Sequence, residues 1–244
     1  MPVNNSADLN KLKWWDILLL TAIVVGYSAV WSVNECINSF LGNPSYTYYY
    51  TIFSNINIDF FIRIILFGVA LLYLYLRRFD FSIWKLSFTP EVLFGGIFLF
   101  LAAAVLMDIY LLVCYSAVDL MNIPQQYFEG IDSVFAVQSL PSFDLLSVLY
   151  AAVCGFTEEL FYLGICLCVP ESKMRSAFIY TVTIRFVCQT YQGIYYALGI
   201  AVIWGTVFYY FYRKMSEKNL IPFCIAHTLS NILGYGVFCY LSGR

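Results

Sequence analysis

The stretch DLLSVLYAAVCGFTEELFYLGICLCV (residues 144–169) is a long apolar run that contains two adjacent glutamates, Glu158 and Glu159. About 20 mostly apolar residues are enough to cross a bilayer as one helix. A second apolar run, 220–241, carries Asn231 and His227, the only histidine of the chain. Because a charged group at the bilayer centre costs several kcal/mol, such residues mark a functional site by default.

The composition defines an integral membrane protein. Of the 244 residues, 61% are hydrophobic and only 11% are charged, whereas a soluble domain is about a quarter charged. The surroundings of the chain are therefore a lipid bilayer. The sequence contains no long basic patch that would favour a nucleic-acid partner.

The apolar runs predict an all-α fold, a polytopic bundle of about seven transmembrane helices (six to eight). The candidate spans are 14–34, 58–76, 91–115, 144–169, 174–191, 193–212 and 220–241. We divide the chain into N-terminal transmembrane helices and loops (1–143) and a C-terminal core that carries the candidate site residues (144–241).

The distribution of basic residues predicts a multi-pass protein of the cell membrane with a cytoplasmic N-terminus. Lysines and arginines flank alternate ends of the spans, whereas the loops 35–57 and 116–143 contain neither. This is the pattern of the positive-inside rule. The segment 79–90, which contains Trp84, is expected to lie along the cytoplasmic interface.

With this orientation, four polar groups reach similar depths below the cytoplasmic surface. At 1.5 Å per residue, Glu158, Arg185 and Asn231 lie about 15 Å down and His227 about 10 Å. We expect them to face one water-accessible cavity that opens toward the cytoplasm.

The spacing of these residues adds detail. His227 and Asn231 are four residues apart and share one helix face. Glu158 and Glu159 point about 100° apart, so they are expected to have different roles. Arg63 and Asp108 are expected near the outer leaflet, as partners in a structural ion pair.

Three chemical interpretations fit these residue types. A buried carboxylate can act as a general base on water, and an imidazole and an amide can stabilise an oxyanion. A metal site is the second interpretation, although one His and two Glu are few ligands for zinc. The third is a structural hydrogen-bond network that holds the helices together.

The site segments resemble the CPBP family, which includes the CAAX proteases and the bacteriocin-processing enzymes and is also called the Abi family. The stretch TEELFYLG (157–164) is similar to a motif of two glutamates, three residues and an arginine, with leucine at the arginine position. The stretch RFVCQTYQG (185–193) resembles the second motif, with Arg185 at its Phe position and Gln189 at its His position. The third motif, His, three residues and Asn, is intact in HTLSN (227–231).

The resemblance implies an intramembrane endopeptidase in which Glu158 activates water and His227 and Asn231 form the oxyanion site. Gln189 occupies the position of the assisting histidine but cannot accept a proton as imidazole does. Leu163 stands at the arginine position of the first motif and carries no charge. We therefore expect Arg185 to supply the positive charge beside Glu159. A glutamate-type mechanism requires no cofactor, whereas a metallo-type mechanism would use a divalent metal such as zinc.

The expected substrate is a peptide or membrane-protein segment that reaches the site from the cytoplasmic side. The resemblance also implies roles in bacteriocin or peptide processing and in self-immunity. Two alternatives remain open at this point. One is a catalytically impaired CPBP-fold scaffold or regulatory partner of another membrane protein. The other is a small transporter that uses the buried carboxylates as a relay.

Overall fold

A computed structural model describes residues 10–41, 47–121 and 145–237 of the chain. The structure is 82% helical, and the described ranges contain no strand. The predicted all-α class is confirmed.

Nine helices lie in the described ranges, and they cover all seven predicted positions. We number them in chain order: α1 Trp14–Val24, α2 Gly26–Phe40, α3 Thr47–Leu76, α4 Pro90–Met121, α5 Leu145–Glu159, α6 Met174–Gln189, α7 Ile194–Gly199, α8 Gly205–Lys214 and α9 Ile221–Leu233. Helix α5 continues as a π-helix, Leu160–Ile165, and a second π-helix, Ile200–Trp204, joins α7 to α8.

Four segments in the described ranges are long and apolar enough to span a membrane on their own: Asp59–Leu76, Pro90–Cys114, Leu145–Ile165 and Ile194–Lys214. A fifth span results if α1 and α2, which are bent by 64° at Val25, count as one broken span. The first predicted span is therefore two helices rather than one straight helix. Helices α6 and α9 are shorter, with 16 and 13 residues. The proposed division of the chain after residue 143 stays a prediction.

Helix α9 packs directly against both α4 and α5, and glycines make the close approach feasible. A Cβ at Gly96 of α4 would lie 2.7 Å from the Ile225 side chain. A Cβ at Gly155 of α5 would lie 2.9 Å from the backbone nitrogen of Thr228. Small residues at such crossings allow helix backbones to come close without a hydrophobic driving force. This packing places the third-motif helix beside the paired glutamates.

The segment between α3 and α4 docks on the loop between α8 and α9. The Trp84 indole is buried and donates to the carbonyl of Gly164 at 3.0 Å. The backbone nitrogen of Leu220 donates to the carbonyl of Lys85 at 3.0 Å, and the Asn219 amide donates to Ser87. The segment 79–89 is therefore a packed strap across one end of the bundle.

The basic loops meet at this same end. The backbone nitrogen of Leu12 donates to the carbonyl of Cys168 at 2.7 Å, and Arg213 pairs with Glu171. Lys218 donates to the carbonyls of Tyr212, Arg213 and Met215, at the C-terminal end of α8 and just beyond it. Partial burial, with the nearby Arg213, lowers the pKa of Lys218 from its ordinary value. The loops that the sequence assigns to one side of the membrane therefore lie together.

Candidate active site

The paired glutamates lie at the end of α5, immediately before the π-helix. Glu159 is completely buried, whereas the Glu158 side chain is 14% exposed. A π-helical turn is uncommon and often occurs at functional sites, because the extra residue changes where the following side chains point. The two carboxylates pair with different guanidiniums, Arg63 and Arg185, and face opposite nitrogens of His227.

Glu159 is held by side chains from two other helices. Arg185 of α6 donates from Nη2 to both carboxylate oxygens, at 2.9 and 3.0 Å. His227 of α9 places Nδ1 2.6 Å from Oε1 of the same carboxylate. The Arg185 guanidinium also lies over the Tyr162 ring, 4.1 Å from its centroid. The expected pairing of Arg185 with Glu159 is therefore present, and Leu163 is a buried apolar residue.

The other nitrogen of the same imidazole faces Glu158. His227 Nε2 lies 3.7 Å from Oε2 of Glu158, which is longer than a hydrogen bond. That oxygen is buried and has no hydrogen-bond partner among the described residues. The imidazole is thus placed between two carboxylates, with direct contact to Glu159 and a short gap to Glu158.

Arg63 of α3 holds the remaining oxygen of Glu158. Its Nη1 lies 3.3 Å from Oε1, and its Nε lies 2.8 Å from Oδ2 of Asp59. The hydroxyl of Tyr150 donates to the same Asp59 oxygen. Arg63 therefore links α3 to the site, and it is not among the site residues predicted from the sequence.

The expected ion pair between Arg63 and Asp108 is wrong. Helix α3 begins at Thr47 rather than near residue 58, so Arg63 lies near the middle of the helix and not at its outer end. Asp108 instead accepts a hydrogen bond at 2.7 Å from the backbone nitrogen of Val237, after the end of α9. The spacing of Asp59 and Arg63, four residues apart, was the sequence signal for the pairing that the structure contains.

Asn231 and Gln189 lie at the edge of the cluster. Asn231 is one turn beyond His227 and exposed, and its Nδ2 lies 3.4 Å from the carbonyl of Ala151. Gln189 is buried at the end of α6, and its Oε1 accepts a hydrogen bond from Gln192. Within the described residues, no hydrogen bond joins Gln189 to the Glu158 carboxylate. The shared cytoplasm-facing cavity stays a prediction.

The described side chains do not fit a metal centre. The described ranges contain no group of three or more His, Cys, Asp or Glu side chains arranged to hold a metal ion. Catalytic zinc sites usually have three protein ligands, whereas only Glu158 and His227 face one another here, and Glu159 is already paired with Arg185. Two facing side chains are too few ligands for such a site.

The helical fold and the buried charged cluster define a polytopic membrane protein with ionisable groups in its interior. Residues 141–233 match the family described as Rce1-like, type II CAAX prenyl endopeptidase. This match supports the resemblance to the CPBP family that the motifs show. Searches of curated proteins and of solved structures found no match.

Proposed function

We propose that the chain is an intramembrane endopeptidase of the CPBP type. The observation that supports this proposal is the distance of 3.7 Å between Glu158 Oε2 and His227 Nε2. The opposite nitrogen of the imidazole is held by Glu159, which is itself paired with Arg185. A carboxylate and an imidazole that face one another in a mostly buried site can hold and activate a water molecule. The matched family supports a protease of this class.

The proposed reaction is hydrolysis of a peptide bond without a covalent enzyme intermediate. Glu158 and His227 bind the water between them and activate it, the water oxygen attacks the carbonyl carbon, and the carbonyl oxygen becomes an oxyanion. Asn231 and His227 stabilise this oxyanion by donating hydrogen bonds. The carbon–nitrogen bond then breaks, and the proton taken from water passes to the leaving amine. Arg63, by holding Oε1 of Glu158, leaves Oε2 directed toward the imidazole.

The proposed substrate is a peptide or a membrane-protein segment that enters from the cytoplasmic side. A prenylated peptide ending in a CAAX sequence is the first candidate, because the matched family carries that substrate in its description. In a bacterial host, the proposed roles of the protein are the processing of secreted peptides and self-immunity to bacteriocins.

The test is a cleavage assay with purified full-length protein in liposomes. Prenylated and unprenylated peptides are incubated with wild type, Glu158→Gln and His227→Ala, and products are identified by mass spectrometry. We expect each substitution to reduce cleavage at least about 100-fold, the usual effect of losing an acid or base group. Glu171→Gln, which changes an exposed carboxylate at the end of the bundle, should cleave like wild type. Equal cleavage by Glu158→Gln and wild type would refute the proposal.

A second candidate function is that of a scaffold or regulatory partner of another membrane protein. Gln189 favours it, because this residue stands where the family has a histidine and its Oε1 is already engaged by Gln192. For a scaffold, wild type would cleave no peptide, and Glu158→Gln would retain partner binding in a pull-down from membranes.

A further inference from the structure

The hydrogen-bond partners of His227 determine its tautomer. The Glu159 carboxylate lies against the Arg185 guanidinium, with both oxygens within 3.0 Å of Nη2. An ionised carboxylate only accepts hydrogen bonds, so the His227 Nδ1 that lies 2.6 Å from Oε1 must be the donor. In a neutral imidazole, the other nitrogen then carries a lone pair. In the neutral ring, Nε2 of His227 is therefore an acceptor.

This acceptor faces a second acceptor. Nε2 lies 3.7 Å from Oε2 of Glu158, and the described residues provide no donor to that oxygen. Two acceptors at this separation can share one water molecule, with each water O–H directed at one of them, at ordinary hydrogen-bond lengths of about 2.8 Å. A water bound between the two acceptors would direct its two protons to different groups.

The surrounding charges favour transfer of the proton to the imidazole. The charged side chains around it are Asp59, Glu158, Glu159, Arg63 and Arg185. Three carboxylates and two guanidiniums leave a net charge of −1 when the imidazole is neutral. Proton uptake by His227 brings the cluster to neutrality, whereas proton uptake by Glu158 would require loss of its ion pair with Arg63. A nearby opposite charge stabilises the imidazolium form, as the triad carboxylate does in serine proteases.

We propose that His227 is the proton acceptor and donor of the reaction, a role that the Gln189 amide cannot take because it does not accept a proton. This inference rests on the proposed function. One water O–H bond breaks, its proton moves to Nε2, and the water oxygen forms the bond to the carbonyl carbon. The imidazolium now has an N–H at Nε2, so it donates to the oxyanion only from this point on. It then gives that proton to the leaving amine as the carbon–nitrogen bond breaks, and Glu158 positions the water throughout.

The tautomer can be measured without any activity, because His227 is the only histidine of the chain. Full-length protein with a tag free of histidine, labelled with ¹⁵N-histidine and purified in detergent, gives one pair of imidazole nitrogen signals. We expect the neutral ring to be protonated at Nδ1 and not at Nε2. Glu159→Gln, which removes the charged acceptor, should add signal from the Nε2-protonated form, whereas Glu171→Gln should not. A wild-type ring protonated at Nε2 would overturn the inference.

Kinetics test the proton step. His227→Gln keeps an N–H donor in place of the imidazole but cannot accept a proton. We expect kcat to fall about 10²- to 10⁴-fold with KM changed less than about threefold, because the imidazole acts on the reacting water. Retention of kcat within about threefold of wild type would mean that His227 only donates to the oxyanion, and would overturn the inference. If wild type cleaves no peptide, both the proposed function and the proton step are refuted. The tautomer of His227 is measured without any cleavage, so that result remains valid in either case.

Discussion

At the scale of single residues, the site shows how a missing charge is supplied from another helix. The arginine of the first motif is replaced by Leu163, yet Glu159 still has a guanidinium partner, because Arg185 reaches it from α6. Both members of this pair are almost completely buried. A buried charge that loses its partner is left without water or a counter-ion, which is more costly than losing both charges together.

A double-mutant cycle tests this coupling. We expect Arg185→Met and Glu159→Gln each to lower the free energy of unfolding by about 3–5 kcal/mol, and the double variant to cost little more than either one. Thermal unfolding in detergent provides the measurement. Arg213→Met is the matched control, since its partner Glu171 is exposed and such pairs contribute about 1 kcal/mol or less. Strictly additive losses at 159 and 185 would contradict the coupling.

At the scale of helices, the site depends on how closely α9 approaches α5. His227 and the two glutamates lie on these two helices, and no side chain separates the backbones at Gly155. An added Cβ there would meet the nitrogen of Thr228 at 2.9 Å and the carbonyl of Cys224 at 3.1 Å. Both are backbone atoms, so the helices must move apart rather than rearrange a side chain.

We expect Gly155→Ala to lower the free energy of unfolding by about 1–3 kcal/mol, the usual cost of overpacking, and to reduce cleavage as the imidazole moves away from Glu158. Thermal unfolding and the peptide assay measure the two effects. Gly68→Ala on α3 is the control, because nothing lies within 4 Å of its added Cβ and alanine favours helix. Equal stability of the two variants would show that α5 and α9 are less tightly packed than described.

At the scale of the whole molecule, the basic loops and the strap 79–89 collect at one end of the bundle. Contacts join Leu12 to Cys168, Glu171 to Arg213, and Lys85 to Leu220. The orientation of this end toward the cytoplasm follows from the positive-inside rule and is a prediction.

Amine labelling tests that orientation. The chain has six lysines, and all of them lie in segments at the basic end of the helical bundle: Lys11, Lys13, Lys85, Lys173, Lys214 and Lys218. We expect a membrane-impermeant amine reagent to leave them unmodified in intact cells and to modify them in inside-out vesicles, as read by mass spectrometry of the purified protein. Detergent-solubilised protein controls for their intrinsic reactivity. Labelling in intact cells would reverse the topology.

The sequence predicted the helix positions well, because apolar run length is a one-dimensional property. The predicted pairing of Arg185 with Glu159 is present in the structure. The direction in which each helix faces depends on packing around the bundle axis, and so the sequence missed the contact between Arg63 and Glu158. It also missed the bend at Val25 and the extension of α3 to Thr47, where polar and aromatic residues resemble a loop.

The two short helices that carry Arg185 and His227 have a further consequence for the surrounding lipid. Helix α9, with 13 residues, is about 20 Å long, and α6, with 16 residues, about 24 Å. Both are shorter than the roughly 30 Å hydrocarbon core of a bilayer. Where these helices meet lipid, hydrophobic mismatch is relieved by local thinning of the bilayer. Thinning would bring headgroups and water nearer to the charged cluster, so acyl-chain length becomes a variable that controls access to it.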